Sequence, residues 1–112
     1  MHAIIRRTTD VYGSGDVVLL AKDEDASYSQ AADEISRLWL PEISLPVASD
    51  FENGGDEVVA ELRHELQDLL ASSGKDLVEA WNGCTFNNPD EFDVSRRITY
   101  MAAPIVAGGV NG

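Results

Sequence analysis

The chain has 112 residues, 44% of them hydrophobic, and carries twenty acids against eight bases for a net charge of -12. That length suits one domain burying about 60% or more of its unfolded surface, and the acidity argues against a protein that grips nucleic acid through its phosphates. A single cysteine, Cys84, excludes an internal disulfide, the apolar residues before Arg6 are too few for a signal-peptide core, and no apolar run reaches membrane-spanning length, so a cytoplasmic protein is expected.

Residues 2–9 (HAIIRRTT) and 16–22 (DVVLLAK) are rich in β-branched and aliphatic side chains, and the glycines of DVYGSG between them supply turn conformations. A hairpin is predicted. Gly13-Ser14-Gly15 is read as its turn, since a phosphate cradle would open a helix and here a strand follows. After Asp23 the period changes: Tyr28, Ala31, Ala32, Ile35, Leu38 and Trp39 recur at three- and four-residue steps, Ser27 and Gln30 form a capping-box pair, and Pro41 stops the run. This predicts a helix over 27–40. Residues 41–55 (PEISLPVASDFENGG) read as a long loop anchored by Ile43, Leu45, Val47 and Phe51, and a loop of that length often carries contacts of its own.

A second helix starts at Asp56 with an apolar stripe of Val58, Val59, Leu62, Leu66, Leu69 and Leu70, and Ser72-Ser73-Gly74 ends it. A short third helix over 76–82 places Leu77, Val78 and Trp81 on one side, with Trp81 in the core. A polar loop then leads to a strand over 94–101, and the closing AAPIVAGGVNG either extends it or trails off as a flexible tail over 106–112. The order β-β-α-α-α-β predicts a single α+β domain over 1–112, a small antiparallel or mixed sheet of about three strands with helices packed on one face.

Charge is segregated along the chain. Residues 23–93 hold eighteen acids against Arg37, Arg63 and Lys75, whereas residues 1–22 sum to +1 and residues 94–112 to +2. Two strands carry arginine pairs, Arg6-Arg7 and Arg96-Arg97, and each pair puts one guanidinium on either face of the sheet. Antiparallel pairing would gather all four at one sheet end, where Asp10, Asp16, Asp90, Glu91 and Asp93 stand ready to neutralise them. Ion pairing is the favoured reading there, with an anion-binding or enzymatic module as the alternative. In NNPDEFDVSRRITY the short distance from Asp90, Glu91 and Asp93 to Arg96 and Arg97 favours local neutralisation.

The second helix gathers Glu57, Glu61, His64, Glu65 and Asp68 on the face opposite its leucines. Glu61-x-x-His64 has the spacing of a di-metal carboxylate bundle, but such sites need a second copy and two further glutamates, so no metal is expected. Carboxylates at helical spacing stand about 5 to 6 Å apart, not far from phosphates along a strand, so this face can occupy a basic nucleic-acid channel. Asp23, Glu24, Asp25, Asp33 and Glu34, on or before the first helix, would extend it. No G-x-S-x-G, Cys-x-x-Cys, Walker loop or H-E-x-x-H occurs, and Cys84 lacks the cationic setting of a nucleophile. Neither an enzyme nor a cofactor is expected.

In size, acidity, acidic helix faces and lack of catalytic signatures, the chain resembles the small acidic proteins with which phages inhibit bacterial defence complexes, anti-CRISPR and DNA-mimic proteins among them. The resemblance implies a non-catalytic inhibitor in a bacterial host cell, bound to a basic protein or nucleoprotein complex through its acids, without direct nucleic-acid or membrane contact. Immunity proteins against nuclease toxins share the same charge logic. A third reading is an oligomer-forming subunit using Trp39, the 41–55 loop and the apolar run 102–107.

Overall fold

β-branched and aliphatic residues draw the N-terminus into an antiparallel hairpin, β1 (His2–Asp10) and β2 (Gly13–Ala21), turned at Val11-Tyr12. Asp10 Oδ1 accepts from the Tyr12 N–H at 2.8 Å, and Gly13 takes a φ of 133° that a side chain would resist. The structure is a computed structural model describing residues 1–105, so the expected tail over 106–112 lies outside the described residues. The last strand, β3 (Arg96–Pro104), begins two residues later than expected and pairs antiparallel with the other side of β1. The sheet order is β2-β1-β3, antiparallel throughout, and three helices complete the expected α+β domain.

Helix α1 (Glu24–Glu34) starts three residues before the predicted Ser27, because Asp23 is the real cap, accepting from the Ala26 N–H at 2.8 Å. Ser27 is instead buried and donates to the Glu24 carbonyl. Beyond Glu34 the helix widens into a π-type turn, Ile35–Trp39, whose closing N–H from Leu40 reaches the Ile35 carbonyl, before a 3₁₀ turn, Leu40–Glu42. Pro41 lacks the N–H an α-helix would need there. Helices α2 (Gly55–Ala71) and α3 (Gly74–Asn82) follow the long loop. Val59 and Leu69 of α2 are buried and Leu62 and Leu66 pack against them, but Leu70 is 63% exposed, one residue and about 100° past the buried Leu69. In the loop Ile43 and Leu45 do anchor, whereas Val47 and Phe51 stand exposed.

The core lies between the sheet and α1 and α3. Ile4, Ala31, Ile35, Leu77, Val78, Trp81, Ile98 and Tyr100 are all buried in it. The free edge of β3 is sealed by side chains in place of a fourth strand. Asn87 accepts from the Ile98 N–H at 2.8 Å and donates to its carbonyl at 2.7 Å, and Asn82 makes the same pair of bonds to Tyr100. The Trp81 indole adds a bond to the Ile98 carbonyl at 2.8 Å. An asparagine amide offers both N–H donors and a carbonyl acceptor, as a backbone residue offers one of each, which is why it can stand in for a neighbouring strand.

Candidate functional site

The four arginines end up apart. Antiparallel pairing sets Arg6 opposite Tyr100 and Arg96 opposite Asp10, so the two pairs are offset along the strands as well as divided between faces. Each guanidinium has its own partner: Arg6 with Glu34 at 2.9 Å, Arg7 with Asp16 at 2.8 Å, Arg96 with Glu42 at 3.4 Å, and Arg97 with the Asn82 carbonyl at 3.0 Å. The two Arg7 hydrogen bonds hold the exposed Asp16 carboxyl below its usual range. Arg96 also lies 5.1 Å over the Trp39 ring. Of the five acids expected at this sheet end only Asp16 forms an ion pair with an arginine. Glu34 and Glu42 take Arg6 and Arg96 because they are carried in by α1 and the turn after it, a tertiary approach that chain distance does not reveal.

Glu34 is thereby withdrawn from any partner surface. Its Oε1 accepts from both Arg6 and the Tyr100 hydroxyl at 2.9 Å, and that hydroxyl accepts from the Trp39 indole at 2.7 Å. Burial pushes the Tyr100 phenol well above its ordinary range. Asp33 remains exposed on α1, paired with Arg37 at 3.3 Å. Asp23, Glu24 and Asp25 open α1 at the His2–Ala21 end of the sheet, while Glu34 and Trp39 reach the Arg6–Arg96 end.

On α2, Glu57 and Glu61 are exposed and His64 sits 3.6 Å from Asp68, both largely in solvent. Glu65 departs from the expected free face: it is half-buried and accepts from the Thr85 N–H at 2.7 Å, tying α2 to the segment after α3. Among the described residues no group of three or more His, Cys, Asp or Glu side chains is placed to hold a metal ion.

Glu61 and Glu65 border an open groove of about 1040 Å³ between the 42–51 loop, α2 and residues 85–96. Trp39, Leu45, Phe51, Leu62 and Phe92 give it apolar and aromatic surface, with the buried Trp81 and Phe86 beneath. Phe86 and Phe92 meet edge to face at 4.9 Å. Glu42, Asp50, Glu61, Glu65, Glu91 and Asp93 line it against one base, Arg96. Glu42 and Glu65 are spent on Arg96 and Thr85, and Asp50 accepts from the Val47 N–H. Glu61, Glu91 and Asp93 are exposed and have no ion pair or side-chain hydrogen bond among the described residues.

Sequence reading missed this groove, although both loops combine large apolar residues with acids, in PEISLPVASDF and in NPDEFD. Cys84 is buried, and burial pushes its thiol up to about 11, away from the thiolate form a nucleophile uses. No helix of the described residues is long and apolar enough to cross a membrane. Comparison with known protein families, curated proteins and solved structures gives no match.

Proposed function

We infer that this chain is a non-catalytic binding protein that covers a basic, nucleic-acid-binding surface of a partner protein with its acidic helix side. The observation that carries the reading is the groove. Exposed, unpaired carboxylates on α2 and on the 85–96 segment rim an aromatic floor, so lysine and arginine side chains meet charge at their tips and apolar surface along their stems. Glu57, Glu61, Glu91, Asp93 and Asp68 are the acids assigned to the partner, with Glu34 and Glu65 assigned to the fold. The cluster Asp23, Glu24 and Asp25 lies at the other end of the sheet and steers the approach only through its long-range field.

The test has two stages. Capture from a bacterial lysate at low and high salt identifies partners whose retention falls with salt. Each purified partner is then mixed with labelled DNA or RNA and titrated with this chain. Displacement of the nucleic acid is expected, and Glu61→Lys, Glu91→Lys and Asp93→Lys together should weaken it by about tenfold or more. Simultaneous binding of chain and nucleic acid to the same partner would refute the reading.

A further inference from the structure

Antiparallel sheets with one face on a core normally turn polar residues to the other. This sheet does not. In β2 the run Val17-Val18-Leu19-Leu20 is apolar on both faces, the pattern of a strand covered on two sides, yet the helices cover only one. The register aligns the open-face residues in rows: Leu20, Ala3 and Ala103 in one, Val18, Ile5 and Met101 in the next. Val18, Leu20 and Met101 are 57%, 59% and 58% exposed on the two outer strands and flank the half-buried Ile5 and the buried Ala3 of β1, an apolar half-sheet of the kind that marks an interaction surface. The other half is polar, with Arg7 beside Asp16 and Thr99, then Thr9 beside Ser14 and Arg97.

We propose that this open face packs against the same face of a second copy of the chain. Electrostatics selects that partner. The chain as a whole carries -12, but the one acid among the open-face strand residues, Asp16, is paired with Arg7, and Arg97 adds a positive charge at the β3 edge, so two copies approach there without bringing unpaired acids together. Packed sheets stand about 10 Å apart and the helices lie behind them, so the acidic layers of the two copies sit about 20 Å or more apart, beyond the Debye length of about 8 Å in physiological salt. A two-fold axis along the strands lays apolar half on apolar half and sets each Arg7 and Asp16 among the same residues of the other copy, the self-complementarity an isologous dimer needs. The seven residues 106–112 are a poorer cover, since they offer only Val106, Ala107 and Val110 as apolar side chains. Three strands of nine residues give a face of about 14 by 30 Å, below the roughly 800 Å² per partner of a standard interface, so the dimer is weak and concentration-dependent.

Sedimentation of the full chain from micromolar to millimolar concentration tests this. The weight-average mass should climb from that of one 12.2 kDa chain towards twice that value. Val18→Lys and Met101→Lys, on different strands and both pointing off the helix layer, should each hold the chain monomeric with an unchanged circular dichroism spectrum. If either variant fails to fold, methyl resonances of the unaltered chain decide, with those of Val18, Leu20 and Met101 shifting with concentration and those of Val59 and Leu62 not. A single-chain mass throughout overturns the proposal, as does a dimer that survives both lysines. So does concentration-dependent protection of the outward amides of β2 at Asp16 and Val18, which signals pairing through the strand edge. Dimerisation that appears only after removal of 106–112 assigns the face to the chain's own C-terminus and likewise overturns it.

Discussion

Replacing Asn87 with alanine isolates the device that ends the sheet. Asn87 is 2% exposed, and its amide bonds both polar groups of Ile98 and the Trp81 carbonyl. In Asn87→Ala the Ile98 carbonyl keeps the Trp81 indole and the Trp81 carbonyl keeps the Cys84 N–H, so one group, the Ile98 N–H, is orphaned. A buried unsatisfied donor costs about 1–3 kcal/mol, and the space left by the amide raises the loss to about 2–4 kcal/mol. For a domain of this size that lowers the melting temperature by about 10 °C or more. Asn82→Ala breaks the matching pair of bonds to Tyr100, but Asn82 is only half-buried and water can replace it, so its cost should stay near 1 kcal/mol. Urea unfolding followed by circular dichroism measures both. A loss under about 0.5 kcal/mol for Asn87→Ala, or one smaller than that for Asn82→Ala, would refute the idea that side-chain amides replace a strand here.

Tyr100→Phe deletes the hydroxyl shared by Trp39 and Glu34 and should cost about 1–2 kcal/mol at neutral pH by urea unfolding. Because the folded phenol titrates above the unfolded one, the unfolded state loses its proton first, so stability falls as pH rises beyond about 10; the phenylalanine variant should lack that contribution to the alkaline loss, and equal pH slopes would contradict it. The Cys84 thiol, with its value raised to about 11, should react with a disulfide reagent at pH 8 only upon unfolding in urea, and prompt reaction of the folded chain would show it is not enclosed. Gly55 begins α2 with its α-carbon against the Ala48 backbone carbonyl, which an added methyl would strike. Gly55→Ala should therefore displace the 48–51 turn and destabilise the fold by about 1–3 kcal/mol, whereas Gly83→Ala, with open space around it, should cost less than half as much.

What was legible in the sequence is what local chemistry dictates. The two-strand hairpin, the α2 stripe from Val59 to Leu69 and the element order carried through, because each depends on neighbours a few residues away, whereas Leu70 fell outside the stripe. Helix ends were less legible where two caps competed: Asp23 and Ser27 both precede apolar residues at helical spacing, and only packing, which buries Ser27, decides between them. The arginine partners were illegible for a related reason. Asp90, Glu91 and Asp93 are close to Arg96 in sequence, but the residues that reach Arg96 and Arg6 are Glu42 and Glu34, from an element laid across the sheet. Glu61 and Glu65 looked equivalent on a helical wheel, yet one faces an open groove and the other caps an N–H of a different segment. A helical wheel gives the direction of a side chain but not what stands opposite it.

The charge layout follows from these placements rather than from composition alone. An excess of twelve negative charges works against a compact state, and the fold contains that repulsion by spreading the acids over helices and loops while the sheet holds five of the eight bases in and around its strands. Arg6 and Arg96 draw Glu34 and Glu42 inward and so stabilise the seam between sheet and helix layer. Arg7 and Asp16 neutralise one another on the open face. Glu61, Glu91 and Asp93, without an ion pair among the described residues, stand around the groove bordered by α2. On the proposed reading the groove side meets a basic partner and the open sheet face a second copy. Because the two sides face opposite directions, occupying one leaves the other open, so self-association through the sheet would double the number of acidic grooves without blocking either.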